Sequence, residues 1–176
     1  QQKQEGGWTV AFSSTYYDVL SNGPEDEVRT LARTMDLVCD EFKDVFHFDG
    51  EITRPFPIHL YGNQQEFMSR TGHGPGTGGF YDGSKIVAFH GRLGGLTTQS
   101  VLFHEGTHLF SHLALGEAFY ELPIWISEGI AEYFGTARFD RAKKDIDYGQ
   151  IAYSRLLEAR RVLERQNINL RADLIA

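Results

Sequence analysis

Cysteine is nearly absent from this sequence: Cys39 stands alone among 176 residues, which excludes an internal disulfide. Cys39 also falls on the apolar stripe of an expected helix, so core packing rather than chemistry is its expected role. Long apolar runs are missing as well. None approaches eighteen residues, so no membrane-spanning helix is expected. Basic residues are the minority, 17 Lys and Arg against 24 Asp and Glu, and the formal charge of -7 argues against a polyanionic partner such as nucleic acid. No internal repeat is present. The sequence also lacks an initiator methionine, opening at Gln1. One expectation is that an export signal has been removed, giving a periplasmic or extracellular protein; the other is a boundary of the piece itself.

What is present is concentrated in two short segments. In His104-Glu105-Gly106-Thr107-His108 the two histidines are four apart, which on an α-helix means about 40° of net rotation and about 6 Å of rise. The imidazoles therefore project side by side and converge on one point. Zinc takes imidazole nitrogen and carboxylate oxygen at about 2 Å, and catalytic sites use three protein ligands with a fourth position open. Glu105 sits about 100° round the helix from His104, beside that position, where its carboxylate can take a proton from water. That is the mechanical content of H-E-x-x-H. The pattern has a chance expectation of roughly two in a hundred for such a composition, so the third ligand matters. Pro123 opens a second expected helix with Ile124, Trp125, Ile126, Ile130, Tyr133 and Phe134 as its apolar stripe, Glu128 and Glu132 four apart on another face, and Gly135 as its stop. Glu128 lies twenty positions after His108, room for one helix to end at Gly116, turn through 117–122 and return.

H-E-x-x-H, nineteen intervening residues and then Glu inside Trp125-Ile126-Ser127-Glu128-Gly129-Ile130-Ala131-Glu132-Tyr133-Phe134 resembles the gluzincin group of zinc metallopeptidases, with the spacing of thermolysin-type enzymes. The second segment further resembles a family of small predicted peptidases that share this zinc site. The resemblance covers about residues 97–135. It implies His104, His108 and Glu128 as zinc ligands, Glu105 as general base, and Glu132 as the acid that holds a ligand histidine by its other ring nitrogen. It also implies an edge strand beside the cleft that pairs with an extended substrate, a role weighed here for 86–89 against that of an ordinary internal strand. Gluzincins usually take a transition-state-stabilising Tyr or His from a helix after the glutamate ligand. This chain stops early, and only Tyr148 and Tyr153 are candidates, by position.

The remainder reads as scaffold. Residues 8–17 have the β-branched and aromatic content of a strand. Pro24, followed by Glu25, Asp26 and Glu27, starts a helix whose apolar positions Val28, Leu31, Met35, Val38, Phe42 and Val45 recur at three and four. Residues 54–61 form a strand that Pro55 and Pro57 confine to an edge or a strand start. Asn63 with Glu66 has capping-box spacing for a short helix. The glycine-dense stretch 71–79 lacks a phosphate loop's context and reads as a mobile loop. Thr97 or Thr98 caps the motif helix. His112 lies about 12 Å along the axis from His104, too far to share one ion. His47, His59, His73 and His90 lack ligand spacing, although His73 and His90 are placed to flank a cleft. Ser127 lacks the glycine two residues before it that a nucleophile elbow requires. A charged connection, 138–147, leads to an amphipathic helix from about 148 to 165 and a short final element from 170.

The expectation is one α+β, zincin-like domain over residues 1–176: a small mixed β-sheet with an edge strand, packed on an active-site helix pair. Its expected function is zinc-dependent hydrolysis of peptide bonds in a peptide or protein substrate, through metal-activated water and a glutamate base. The alternative is a zinc-binding module that captures a peptide or partner without proteolysis.

Overall fold

The computed structural model describes residues 7–140, 145–151 and 153–166. Strands β1 (Val10–Ser13) and β2 (Tyr17–Ser21) form an antiparallel hairpin, where a single strand was expected over 8–17. Asp36 makes the bend: its carboxylate accepts from Ser14 Oγ and from the backbone N–H groups of Thr15 and Tyr16. Those donors are thereby satisfied within the turn rather than in a strand ladder.

Asp36 belongs to helix α1 (Glu25–Val45), which starts with three acids and buries Val28, Met35, Val38 and Phe42 of the expected stripe, while Leu31 is partly buried and Val45, at the helix end, is exposed. Strand β3 (Phe56–Tyr61) pairs in parallel with β2, helix α2 (Gln64–Thr71) follows with Asn63 accepting from the Glu66 N–H, and strands β4 (Gly79–Tyr81) and β5 (Ile86–Phe89) complete a five-stranded mixed sheet in the order β1-β2-β3-β5-β4.

Both edge alternatives resolve towards the interior: the prolines mark the start of β3 rather than an edge, and 86–89 takes the internal position weighed for it. β3 is central despite its proline. Successive backbone groups on a strand face opposite neighbours, and the Phe56 N–H donates to Tyr16 on the β2 side. Pro57 therefore turns its missing donor towards β5, whose pairing with β3 begins only at Ile58. The strand 86–89 is likewise internal, with all four residues buried between β3 and β4. The two outer strands are β1 and β4; β4 runs antiparallel to β5 and emerges from the glycine-dense stretch.

Alternation along β3 and β5 decides what each sheet face covers. Ile58, Leu60, Ile86 and Ala88 point into the main core with Met35 and Phe42 of α1 and with Leu102, Phe103 and Phe110; Val87 and Phe89 point the other way, onto Phe67 of α2. After a small hairpin of β6 (Arg92–Leu93) and β7 (Leu96–Thr97) comes helix α3 (Thr98–Leu115), capped reciprocally by Thr97 and Ser100. A 3-10 turn over Gly116–Glu121 reverses the chain into helix α4 (Ile124–Gly135). Strands β8 (Arg138–Asp140) and β9 (Asp145–Asp147) form a hairpin, and helix α5 (Tyr153–Gln166) begins five residues later than expected. The final element expected from 170 lies outside the described residues. Among those described, no helix is long and apolar enough to cross a membrane.

Cys39 lies in the core beside the buried Tyr17 hydroxyl, and burial pushes its thiol up to about 12. The thiolate is the reactive form. Iodoacetamide at pH 8 is therefore expected to leave Cys39 unmodified in the folded protein and to label it fully in urea, as read by intact mass.

Candidate metal centre

α3 and α4 lie antiparallel and unusually close at one point. A Cβ built on Gly135 would stand 3.1 Å from His104 Cβ and 3.3 Å from the Ser100 carbonyl oxygen. The helix does end at Gly135, as expected, with Thr136 as its cap; the glycine is not in the left-handed conformation of a stop and serves close packing against α3 instead. The α4 stripe is corrected. Ala131, Phe134 and Gly135 are its buried residues, while Ile124 and Trp125 are 74% and 73% exposed. Ala131 and Gly135 are small enough for the backbones to approach, and Phe134 locks the pair against Phe42 of α1 at 5.0 Å between ring centroids.

With that register, residues 127–132 of α4 face residues 104–108 of α3. His104 Nε2 and His108 Nε2 lie 3.2 Å apart. Glu128 sets one carboxylate oxygen 3.3 Å from the first and the other 3.4 Å from the second. Each histidine is held from behind: Glu132 Oε1 is 3.3 Å from His104 Nδ1, and Ser127 Oγ is 3.2 Å from His108 Nδ1. Arg155 of α5 steadies Glu132 at 2.8 Å.

This donor set fits a divalent metal on two independent grounds. The Glu132 carboxylate can only accept, which assigns the proton of His104 to Nδ1, and Ser127 Oγ can accept from His108 Nδ1 in the same way; with that assignment both Nε2 atoms present lone pairs, and they face each other and a carboxylate. Such a convergence of acceptors is unfavourable without a shared cation. The spacing also agrees, since bonds of 2.0–2.1 Å at tetrahedral angles put ligand atoms about 3.3 Å apart. His104, His108 and Glu128 each offer one ligand atom to this group.

Electrostatics reinforces the geometry. Burial, aided by neighbouring His108, pushes His104 down to about 4, and burial also lowers His108. Both rings are therefore neutral, the form a metal requires. Glu105 does not join the cluster. It is buried, with the Tyr81 backbone N–H facing its carboxylate, and it lines the cleft on both sides of His104. Burial raises it, the Tyr81 N–H opposes that rise, and Glu128 and Glu132 add to it, for a result of about 7. A carboxyl group poised there exchanges a proton readily at neutral pH.

The other candidates fall elsewhere. His112 is no part of the cluster; its Nδ1 is 2.9 Å from the Tyr81 hydroxyl. His73 stacks on Phe80 at 4.3 Å between centroids. His90 does not line the cleft. It sits between Ser21 Oγ (3.0 Å) and Glu27 (3.3 Å), an arrangement with the look of a hydrolytic triad. Ser21, however, is wholly buried and also bonds the Leu60 carbonyl, so the cluster ties β2 to β3 and α1. Tyr148 donates to Glu41 of α1 and Tyr153 is 70% exposed; neither lines the cleft, whereas Tyr81 and Tyr120 do. Ser127 and Arg155 had no role in the site expected from sequence. A serine just before the glutamate of the cluster and an arginine 23 residues beyond Glu132 carry no local signal for one.

Gly135→Val offers a test of the helix contact. Its extra carbons meet backbone on α3, and overpacking costs about 1–3 kcal/mol. The expected outcome is a lower Tm and weaker zinc binding in a titration, with α-helical circular dichroism retained.

Comparison of the chain with protein families, with curated proteins and with solved structures finds no match.

Proposed function

We propose that this chain is a zinc-dependent peptidase with a zincin-like, gluzincin-type site. The observation that carries the reading is the meeting of His104, His108 and Glu128 beside a buried carboxylic acid, Glu105, in an open cleft. The ligands would be those three side chains. A zinc ion there supplies Lewis acidity, polarising a carbonyl and bringing the pKa of water towards neutrality.

The protein's own residues divide the remaining work. Glu132 and Ser127 orient the two imidazoles and fix their tautomers. Glu105 takes the proton from the attacking water and returns it to the departing amine, a two-way transfer that its buried position beside the cluster allows. The outer side of β4 lies along the cleft, and its main-chain groups other than the Tyr81 N–H that faces Glu105 can pair with an extended peptide, which favours a peptide over a compact substrate. Zinc-loaded protein is expected to cleave casein or a peptide mixture, with chelation stopping the reaction and added zinc restoring it.

One observation favours a second reading, a zinc module that captures a peptide or partner without cutting it: Tyr148 and Tyr153, the tyrosines placed after Glu128, lie off the cleft, and the tyrosines that line it, Tyr81 and Tyr120, come from other elements. One bound zinc without cleavage in the same assay would select that reading.

A further inference from the structure

The cleft is unlike at its two ends. Towards Gly76 it narrows to a cavity of about 190 Å³ walled by Gly78, Thr77, Ser100, Thr136 and Arg155. Along Phe80–Gly83 it widens to about 640 Å³ opposite Phe119, Tyr120, Leu122 and Ile124. Tyr120 is 62% exposed, and Ile124 more so. Large apolar side chains standing in water along a concave wall beside a reactive acid gain from a ligand that covers them.

This wall is anchored to the floor of the cleft. Phe119 stacks on His112 at 5.3 Å between centroids, Tyr120 meets the same ring edge-on at 5.0 Å, and His112 is tied to the Tyr81 hydroxyl on the opposite bank. Phe119 also stands 6.4 Å from the ligand ring of His108. A pre-formed apolar wall of this kind binds side chains without first ordering itself.

The edge strand supplies a direction. β4 runs from Gly79 at the narrow end to Tyr81 at the wide one. Gly79, His104 and Glu105 border both cavities, so the bond to be cut lies over them. Antiparallel pairing is the more stable way to extend a sheet. A peptide added antiparallel to β4 has its N-terminal part in the wide cavity and its C-terminal part in the narrow one.

We propose that the wide cavity selects peptides with an aromatic or large aliphatic side chain on the N-terminal side of the cleaved bond, Tyr120 and Ile124 being its specificity-determining residues. The inference rests on the peptidase reading. The test is to profile cleavage of a randomised peptide library by the zinc-loaded protein. Phe, Tyr, Trp, Leu and Met should be enriched at the first or second residue before the cut. Tyr120→Ser and Ile124→Ser should each lower kcat/KM for a Phe-containing peptide roughly tenfold relative to its Ala counterpart, the scale of one apolar contact, with zinc content unchanged. A flat profile, a preference for Lys or Arg drawn by Asp82 and Glu128, apolar enrichment only after the cut, or a preference intact in both variants overturns the proposal and leaves the peptidase standing. No cleavage of any peptide overturns both.

Discussion

Glu105→Gln is expected to abolish hydrolysis while leaving one zinc bound and the fold intact. Glutamine keeps the size of the side chain and an oxygen for the Tyr81 N–H that faces it, but it cannot carry a proton between water and a leaving amine. General acid–base groups contribute about 10²–10⁴ in rate, and this one would serve in both directions, so kcat/KM should fall by about 10³ or more. Zinc content should not change, because Glu105 is outside the ligand group. The substitution has a second readout. The folded carboxyl titrates at about 7 against 4.5 for the free group. The folded metal-free chain therefore holds a proton that the unfolded chain has released between those values, and this group's contribution to stability declines as pH rises through that window. Glutamine removes that slope. Metal-free variant and parent should diverge in Tm from pH 5 to pH 7.5, the variant becoming relatively more stable. Retained turnover removes Glu105 from the chemistry, and parallel pH profiles remove the buried proton.

The cluster of His104, His108 and Glu128 is legible in the sequence because it depends on helix periodicity and one short reversal. His104 and His108 share a face by periodicity, and Glu128 returns because a chain reversed by the 3-10 turn after Gly116 must bring α4 back along α3. Glu132 follows as the next turn of the same helix. The parts that escaped depend on three-dimensional register. Pro57 is tolerated inside the sheet because β5 begins one residue beyond it, which spacing along one strand cannot reveal. The edge passed to β4 because a three-residue strand after a glycine-dense stretch has too little pattern to announce itself. The apolar residues at the start of α4 looked like core because periodicity reports a common face, not what covers it; Ile124 instead borders the cleft. Gly135 reads as a helix stop by residue type, and only the 3.1 Å approach to His104 shows why a side chain is excluded.

Removing zinc is expected to lower stability as well as activity, because the metal-free site leaves two imidazole lone pairs and a carboxylate facing one another. A ligand present at 1,000 times its Kd stabilises the folded state by about 4 kcal/mol, and in a domain of this size each kcal/mol moves Tm by about 2–4 °C. Chelation should therefore drop Tm by roughly 10 °C, and equimolar zinc should restore it. The pH dependence follows from the histidines. His104 is held at about 4 by burial and by His108, against 6.5 for a free imidazole. Its pKa is depressed, so the unfolded chain takes up the proton first, and the stability this group contributes is full above 6.5 and lost as pH falls through 4. Protons compete for the ligand nitrogen only in that lower range. Zinc affinity should consequently stay nearly level from pH 8 to pH 6 and fall steeply towards pH 4, and the chelation-induced loss of Tm should shrink in parallel. An exposed pair of histidines would begin to release metal near 6.5. A Tm indifferent to chelation at pH 7.5 would show that no ion bridges α3 and α4, and the hydrolytic role assigned to Glu105 would have no metal to work beside.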